Sequence, residues 1–173
     1  MAGFKKNWSS LIRDSLVSGT VASIASAIVL LLRGKVELGK SAAPVNGPSQ
    51  WIWGLHAPYQ DRFTLRYTIV GYGIHHVASV FWAIWYEKLR QQFPPAETTT
   101  AVLAPAVATA AAAYTVDFHC TPKRLTPGFE RRLSQRSLFM VYAAFALGLA
   151  ATALIDFRSS SRHRRPRSRS QRD

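Results

Sequence analysis

Apolar residues are gathered into four blocks along the chain, each roughly as long as a lipid bilayer is thick. The blocks cover residues 15–32, 67–86, 101–118 and 137–157. About 20 residues at 1.5 Å each cross the ~30 Å hydrocarbon core, and no block has the polar face of a helix on a soluble bundle. The pattern therefore predicts four membrane spans instead of four buried helices of a soluble protein.

The blocks are rich in Ala, Leu and Val and lack the two-residue alternation of a membrane β-barrel. Backbone groups inside lipid must bond within their own segment, so each block is expected to be an α-helix. The expected fold is all-α, a four-helix transmembrane bundle forming one domain over residues 1–157. Small residues recur four apart, as at Ser15, Gly19 and Ser23, and as at Ala144 and Gly148, which favours close helix packing.

The loops between the blocks hold tryptophans and turn-forming residues. Trp51 and Trp53 lie in the long loop 33–66, and Trp85 lies near the end of the second block. Tryptophan is enriched at lipid headgroups, so all three are predicted to be interfacial anchors. The alternative for the loop is a lid over a pocket between the helices. Later in the chain, Thr126 and Pro127 predict a helix start, either of a surface helix or of an extension of the fourth span.

Positive charge is concentrated at the C-terminus. The net charge is +13, and residues 158–173 contain seven arginines and no apolar residue, which predicts a disordered tail. After a membrane span, such a tail is expected to contact anionic lipid headgroups. Nucleic acid is disfavoured, because no aromatic residue is interleaved to stack on bases. The arginines predicted to contact headgroups are Arg162, Arg164, Arg165, Arg167 and Arg169.

Four spans place both termini on one side of the membrane. That side collects twelve basic residues against ten on the other, so the positive-inside rule favours cytoplasmic termini. The first block is expected to remain as an uncleaved signal anchor, because Arg33 and Lys35 follow it where a cleavage site would need small residues. Cys120 is the single cysteine, which excludes an intramolecular disulfide and a cysteine-based metal cage.

Four ionisable residues form a candidate intramembrane polar cluster. His75 and His76 lie in the second block and are about 100° apart on a helix, so they cannot face the same neighbour. Asp117 and His119, at the end of the third block, are expected in the same half of the membrane, within reach of an Asp–His hydrogen bond. Three interpretations follow: interhelical hydrogen bonding, which is favoured, a haem or other metal site pairing one of these histidines with His119, and a proton pathway.

Enzyme motifs are not found in the sequence. It has no glycine-rich phosphate loop, no His-Glu-x-x-His and no nucleophile elbow. A non-enzymatic accessory or scaffold protein, within a homo-oligomer or a larger membrane complex, is therefore the favoured function. The alternatives are a haem-binding redox or proton-handling protein and a small transporter.

Three stretches carry motifs beyond the span pattern: NGPSQWIWG, TIVGYGIHHVASVFWAIWYEKL and DFHCTPKRLTPGFERRLSQRSLFMVYAAFALGLA. Together they resemble a family of small, uncharacterised bacterial inner-membrane proteins with four predicted spans, over most of residues 15–157. The chain is also similar in layout to inner-membrane proteins such as YagU. The resemblance implies a bacterial cytoplasmic-membrane location and brings no reaction, ligand or catalytic residue.

Overall fold

The computed structural model describes residues 8–92 and 98–163, and side chains are described as far as Ile155. This part of the chain is helical and contains no strand, which confirms the all-α prediction. The elements that build it are the helices α1 Trp8–Leu38, α2 Ala42–Asn46, α3 Gln50–Trp53, α4 Val70–Arg90, α5 Thr99–Thr115 and α6 Gln135–His163.

Three helices in the described part of the chain are long and apolar enough to cross a membrane. They are Trp8–Leu38, the continuous helix Thr99–Cys120, and Gln135–Ile155. α4, which occupies the position of the predicted second span, does not reach the same apolar content. The two histidines and other polar residues of α4 lower its mean hydropathy. The finding therefore supports a membrane protein with three clear spans, while the four-span bundle is not established by it.

The long helices extend beyond the apolar blocks that predicted them. α1 runs well past both ends of residues 15–32, and α6 continues to His163, so residue 157 is not a helix end. Single π-helical turns at Leu65–Ile69 and Val116–Cys120 extend α4 at its start and α5 at its end. The arginine tail cannot be compared with its prediction, because Arg164, Arg165, Arg167, Arg169 and the side chain of Arg162 lie outside the described part of the chain.

α1 occupies the centre of the fold, with α4 on one side and α6 on the other, and α5 packs mainly against α6. Small residues make these approaches possible. A Cβ on Gly19 would lie 2.7 Å from the Cα of Val80, and one on Gly148 would lie 2.9 Å from the backbone nitrogen of Ala22. The small-residue rows are thus used for packing within the chain.

The carboxylate of Glu37 joins the C-terminal end of α1 to the beginning of α6. It accepts hydrogen bonds from the backbone N–H of Ser134 at 2.9 Å and from the Ser134 hydroxyl at 2.7 Å. Ser137 and Arg33 also donate to it. An acidic group is favourable at a helix N-terminus, where backbone N–H groups lack partners, so Glu37 fixes the register of the two helices.

Residues 42–50, which we call the buried loop segment, are enclosed by the protein. Asn46 is fully buried, and its side-chain amide donates to the carbonyls of Gln60 and Arg62 and accepts from the Thr68 hydroxyl. A fully buried side-chain amide needs such internal partners. The backbone of Gly71 packs directly against Val45, where a Cβ would collide with its carbonyl oxygen.

Candidate functional site

A cavity of about 60 Å³ lies between α4, α5 and α6, and we call it the His75 cavity. α4 contributes His75, Ser79 and Trp82 to its wall, while Asp117 and Tyr142 approach from α5 and α6. Because one water molecule needs about 10–15 Å³ measured in this way, the cavity has room for a few waters. His75 and Asp117 therefore face a space that can hold water.

Two loops close the His75 cavity. Pro48 and Trp51 contribute to its wall from one loop, and Leu125, Pro127 and Phe129 from the other. The loops are joined by hydrogen bonds to the carbonyl of Thr126, which accepts from Gln50 Nε2 at 2.7 Å and from Trp51 Nε1 at 3.3 Å. Part of the tryptophan loop thus lies over the cavity between the helices.

His75 is bonded to α1 through Ser26. The Oγ of Ser26 lies 2.9 Å from His75 Nε2 and 2.7 Å from the carbonyl oxygen of Ala22. A serine hydroxyl carries one hydrogen, so the tautomer of the imidazole decides whether Ser26 donates to the carbonyl or to Nε2. In either tautomer the neutral imidazole has one ring nitrogen that can accept a proton.

Asp117 lies in the π-helical turn Val116–Cys120, which directs it towards α6. Its Oδ2 accepts a hydrogen bond of 2.6 Å from the Tyr142 hydroxyl. The Asp117–His75 hydrogen bond that the sequence suggested is not formed, although both residues line the same cavity. Tyr142 has taken the place of histidine as the partner, because α6 packs closely against α5.

The other two residues of the predicted cluster are elsewhere. His76 Nδ1 is buried and has no hydrogen-bond partner among the described residues, and its ring lies 6.0 Å from that of Tyr72. His119 lines a different cavity and packs beside Tyr114. The ring of His75 also lies near Tyr72, at 6.4 Å, so the adjacent histidines share this neighbour, but only His75 lines the His75 cavity. His119 is not placed to share a ligand with His75.

The structure does not bring together the two histidines of the haem or metal site that the sequence suggested. A bis-histidine haem needs two imidazoles facing one space, whereas His75 and His119 line separate cavities. Nε2 of His75 is hydrogen-bonded to Ser26, so it is not free to bind a metal ion. Within residues 8–92 and 98–163, His, Cys, Asp and Glu form no group of three that could hold a metal ion.

The three tryptophans predicted to be interfacial anchors have different environments. Trp51 lines the His75 cavity, as described above. Trp53 donates from Nε1 to the carbonyl of Arg66 at 2.9 Å, and the Arg66 guanidinium lies 4.5 Å from its ring. Trp85 is half exposed near the end of α4, with the ammonium of Lys88 5.4 Å from its ring.

Sequence reasoning missed the roles of Tyr142 and of Ser26. The signal for Tyr142 was a single phenol in the first half of a span that is otherwise apolar, and such a polar group requires a partner in lipid. No family model, no curated protein and no solved structure matches the chain.

Proposed function

We propose that the chain is a four-span protein of the bacterial cytoplasmic membrane, with cytoplasmic termini, that passes protons through the His75 cavity. The observation that carries this proposal is the presence of His75 and Asp117, from two different helices, in the wall of one cavity with room for water. Ionisable groups inside a membrane are costly and mark ion or proton pathways when they face a cavity.

The assignment of α4 as the fourth span is supported by its surface. Val77, Phe81 and Trp85 recur four apart and are each more than half exposed, which forms an apolar stripe on the outside of the helix. His75 and Ser79 face inwards. His75 and Ser79, which lower the mean hydropathy of α4, thus face inwards, while the stripe of Val77, Phe81 and Trp85 on the outward face is suited to lipid.

The proton step uses the groups already described. A proton leaves the Asp117 carboxyl group, moves through water in the cavity and binds the unprotonated ring nitrogen of His75, which leaves a carboxylate and an imidazolium. Tyr142 holds the Asp117 carboxyl group and Ser26 holds the His75 ring, so both groups keep their orientation during the transfer. The loops joined at Thr126 limit access to the cavity from one end.

An accessory or scaffold role, which the sequence favours, receives less support from the geometry. The glycines expected to mediate close approach to a partner are already in contact with other helices of the same chain. A scaffold would also have no need for two ionisable groups at a shared cavity. The two proposals differ in one measurable respect, since only the first requires proton flux.

The test is proton flux into liposomes that contain the purified chain and a trapped pH-sensitive dye. Wild-type protein is expected to carry flux above that of empty liposomes, and His75→Gln and Asp117→Asn are each expected to reduce it at least tenfold. His56→Gln is the matched control, because His56 is exposed on the loop before α4 and does not line the cavity. Equal flux from all four proteins, or none above the empty liposomes, would refute the proposal.

A further inference from the structure

A second cavity, of about 400 Å³, lies where α5 ends and α6 begins, and we call it the Lys123 pocket. Its volume falls within the ~300–1,000 Å³ of typical small-molecule sites. Both helices reach the end of their apolar segments here, so the pocket is at the level expected for lipid headgroups. It is separate from the His75 cavity and has no part in the proton step.

The Lys123 pocket has an apolar wall. Tyr114 and Phe118 stack edge to face, with ring centres 4.9 Å apart, and Leu138 adds an aliphatic surface from α6. Outside the pocket, the next residue of α6, Phe139, is about three-quarters exposed. An apolar path therefore leads from the pocket onto the side of α6 that faces away from the protein.

The opposite wall of the pocket is cationic. Lys123 is exposed and takes part in none of the ion pairs among the described residues. Arg131 donates from Nη2 to the Lys123 carbonyl at 3.0 Å, which holds the guanidinium beside the lysine.

One acidic residue, Glu130, also lines the pocket. Its Oε1 accepts a 2.7 Å hydrogen bond from the Thr126 hydroxyl and lies 3.8 Å from Arg131 Nε. Glu130 therefore offsets one of the two positive charges, and Lys123, Arg131 and Glu130 together leave the wall one net positive charge. A monovalent anion is the ligand that such a wall complements.

We propose that the Lys123 pocket binds the phosphate group of an anionic glycerophospholipid, with Lys123 and Arg131 as the phosphate ligands. Lysine binds phosphate as a point charge, and the arginine fork donates to its oxygens. The lipid glycerol lies against Tyr114 and Phe118, and an acyl chain follows the exposed side of α6. The ligand chemistry, a phosphate anion, is shared with free phosphate, but the apolar wall favours the lipid.

The test measures the melting temperature of the purified full-length chain in neutral detergent micelles. The added probes are phosphatidylglycerol, phosphatidylcholine and inorganic phosphate, each titrated to give an apparent dissociation constant. Phosphatidylglycerol is expected to raise the melting temperature in a saturable manner. Phosphatidylcholine is expected to cause a much smaller increase. The double variant Lys123→Gln/Arg131→Gln is expected to bind phosphatidylglycerol roughly tenfold more weakly, because each basic residue near the headgroups contributes appreciably.

The matched control is Arg124→Gln/Arg136→Gln, which removes the same charge from two exposed residues that do not line the pocket. The C-terminal arginines are unchanged in every variant, so their contribution to lipid binding cancels. Lys123→Gln alone is the second pocket variant. The Lys123 side chain forms no hydrogen bond or ion pair with the described residues, so this substitution is expected to leave the loop folded.

Weaker binding in both pocket variants and normal binding in the control would support the site. An equal loss in the control would overturn it, because general surface charge would then explain the binding, and so would unchanged binding in the pocket variants. A melting-temperature increase with inorganic phosphate equal to that with phosphatidylglycerol would overturn the lipid as the source of the phosphate.

Discussion

The hydroxyl of Ser26 on α1 and the imidazole of His75 on α4 are joined by a hydrogen bond of 2.9 Å. It connects two helices that pack along much of their length, and it fixes the imidazole of the candidate proton site. Helix packing and site chemistry therefore depend on the same bond.

Replacement of Ser26 by alanine is expected to lower the free energy of unfolding by about 1–2 kcal/mol, because the buried Nε2 of His75 would lose its hydrogen-bond partner on α1. Equilibrium unfolding in mixed micelles measures this change. Ser23→Ala is the matched control, since Ser23 is fully buried and its Oγ has no hydrogen-bond partner among the described residues. It should be neutral or slightly stabilising, and an equal loss in both variants would contradict the assignment.

Replacement of Gly148 by alanine is expected to destabilise the protein by about 2 kcal/mol. The added methyl group would meet the backbone of Ala22, which cannot move without shifting α1 against α6. Gly73→Ala provides the comparison within the same protein, because no heavy atom outside the helix lies within 4 Å of its Cβ position. Alanine there should stabilise α4 by up to ~1 kcal/mol. Thermal unfolding of both variants shows whether the loss of stability comes from the close contact between α1 and α6. If Gly73→Ala destabilises the protein as much as Gly148→Ala, the contact is not the cause.

Replacement of Asn46 by alanine is expected to be among the more damaging single changes, at about 3 kcal/mol or more. It leaves the carbonyls of Gln60 and Arg62 and the Thr68 hydroxyl without their partner. Gln60→Ala is the control, because only the backbone carbonyl of Gln60 takes part in the network. Protease resistance of the loop in native vesicles would report the difference, and equal resistance of N46A and wild type would show that the network is dispensable.

Cys120 is exposed at the end of the helix Thr99–Cys120, which makes it a reporter of topology. With cytoplasmic termini and four spans, it lies on the outer side of the cytoplasmic membrane. A membrane-impermeant maleimide added to intact cells should therefore label it, and Cys120→Ser should remove the signal. Labelling only after the membrane is opened, or only from inverted vesicles, would reverse the proposed orientation.

The helical content could be predicted from the sequence because lipid leaves the backbone few other options. The separation of His75 from His76 followed from the 100° rotation per residue. The role of the loop 33–66 could not be predicted in the same way. Its residues show no apolar period, and their burial depends on hydrogen bonds between positions far apart in sequence, as between Gln50 and Thr126.

The helix expected to begin at Thr126 illustrates the same difference. Thr126 and Pro127 form a favourable local start signal, but the chain there makes only the short 3-10 turn Phe129–Arg131, and α6 begins at Gln135. The Thr126 hydroxyl and carbonyl are bonded to Glu130 and to the tryptophan loop. Tertiary partners have thus overridden a local preference. The Asp117–Tyr142 pair was hidden for a related reason, since nothing local indicates which helix lies opposite Asp117.

The buried loop segment has a consequence for the order in which the molecule is assembled. Its Gly47 packs against Gly128, with a Cβ on Gly47 2.7 Å from the nitrogen of Phe129, and Gln50 donates to Thr126 from 76 residues away. During synthesis, residues 42–50 emerge long before these partners exist. Asn46 can meet its partners at positions 60, 62 and 68 soon after it is made, whereas Gly47 and Gln50 cannot complete their packing until residues 126–129 have been synthesised. The enclosed segment is therefore among the first parts of the protein to be made and among the last to be fully packed.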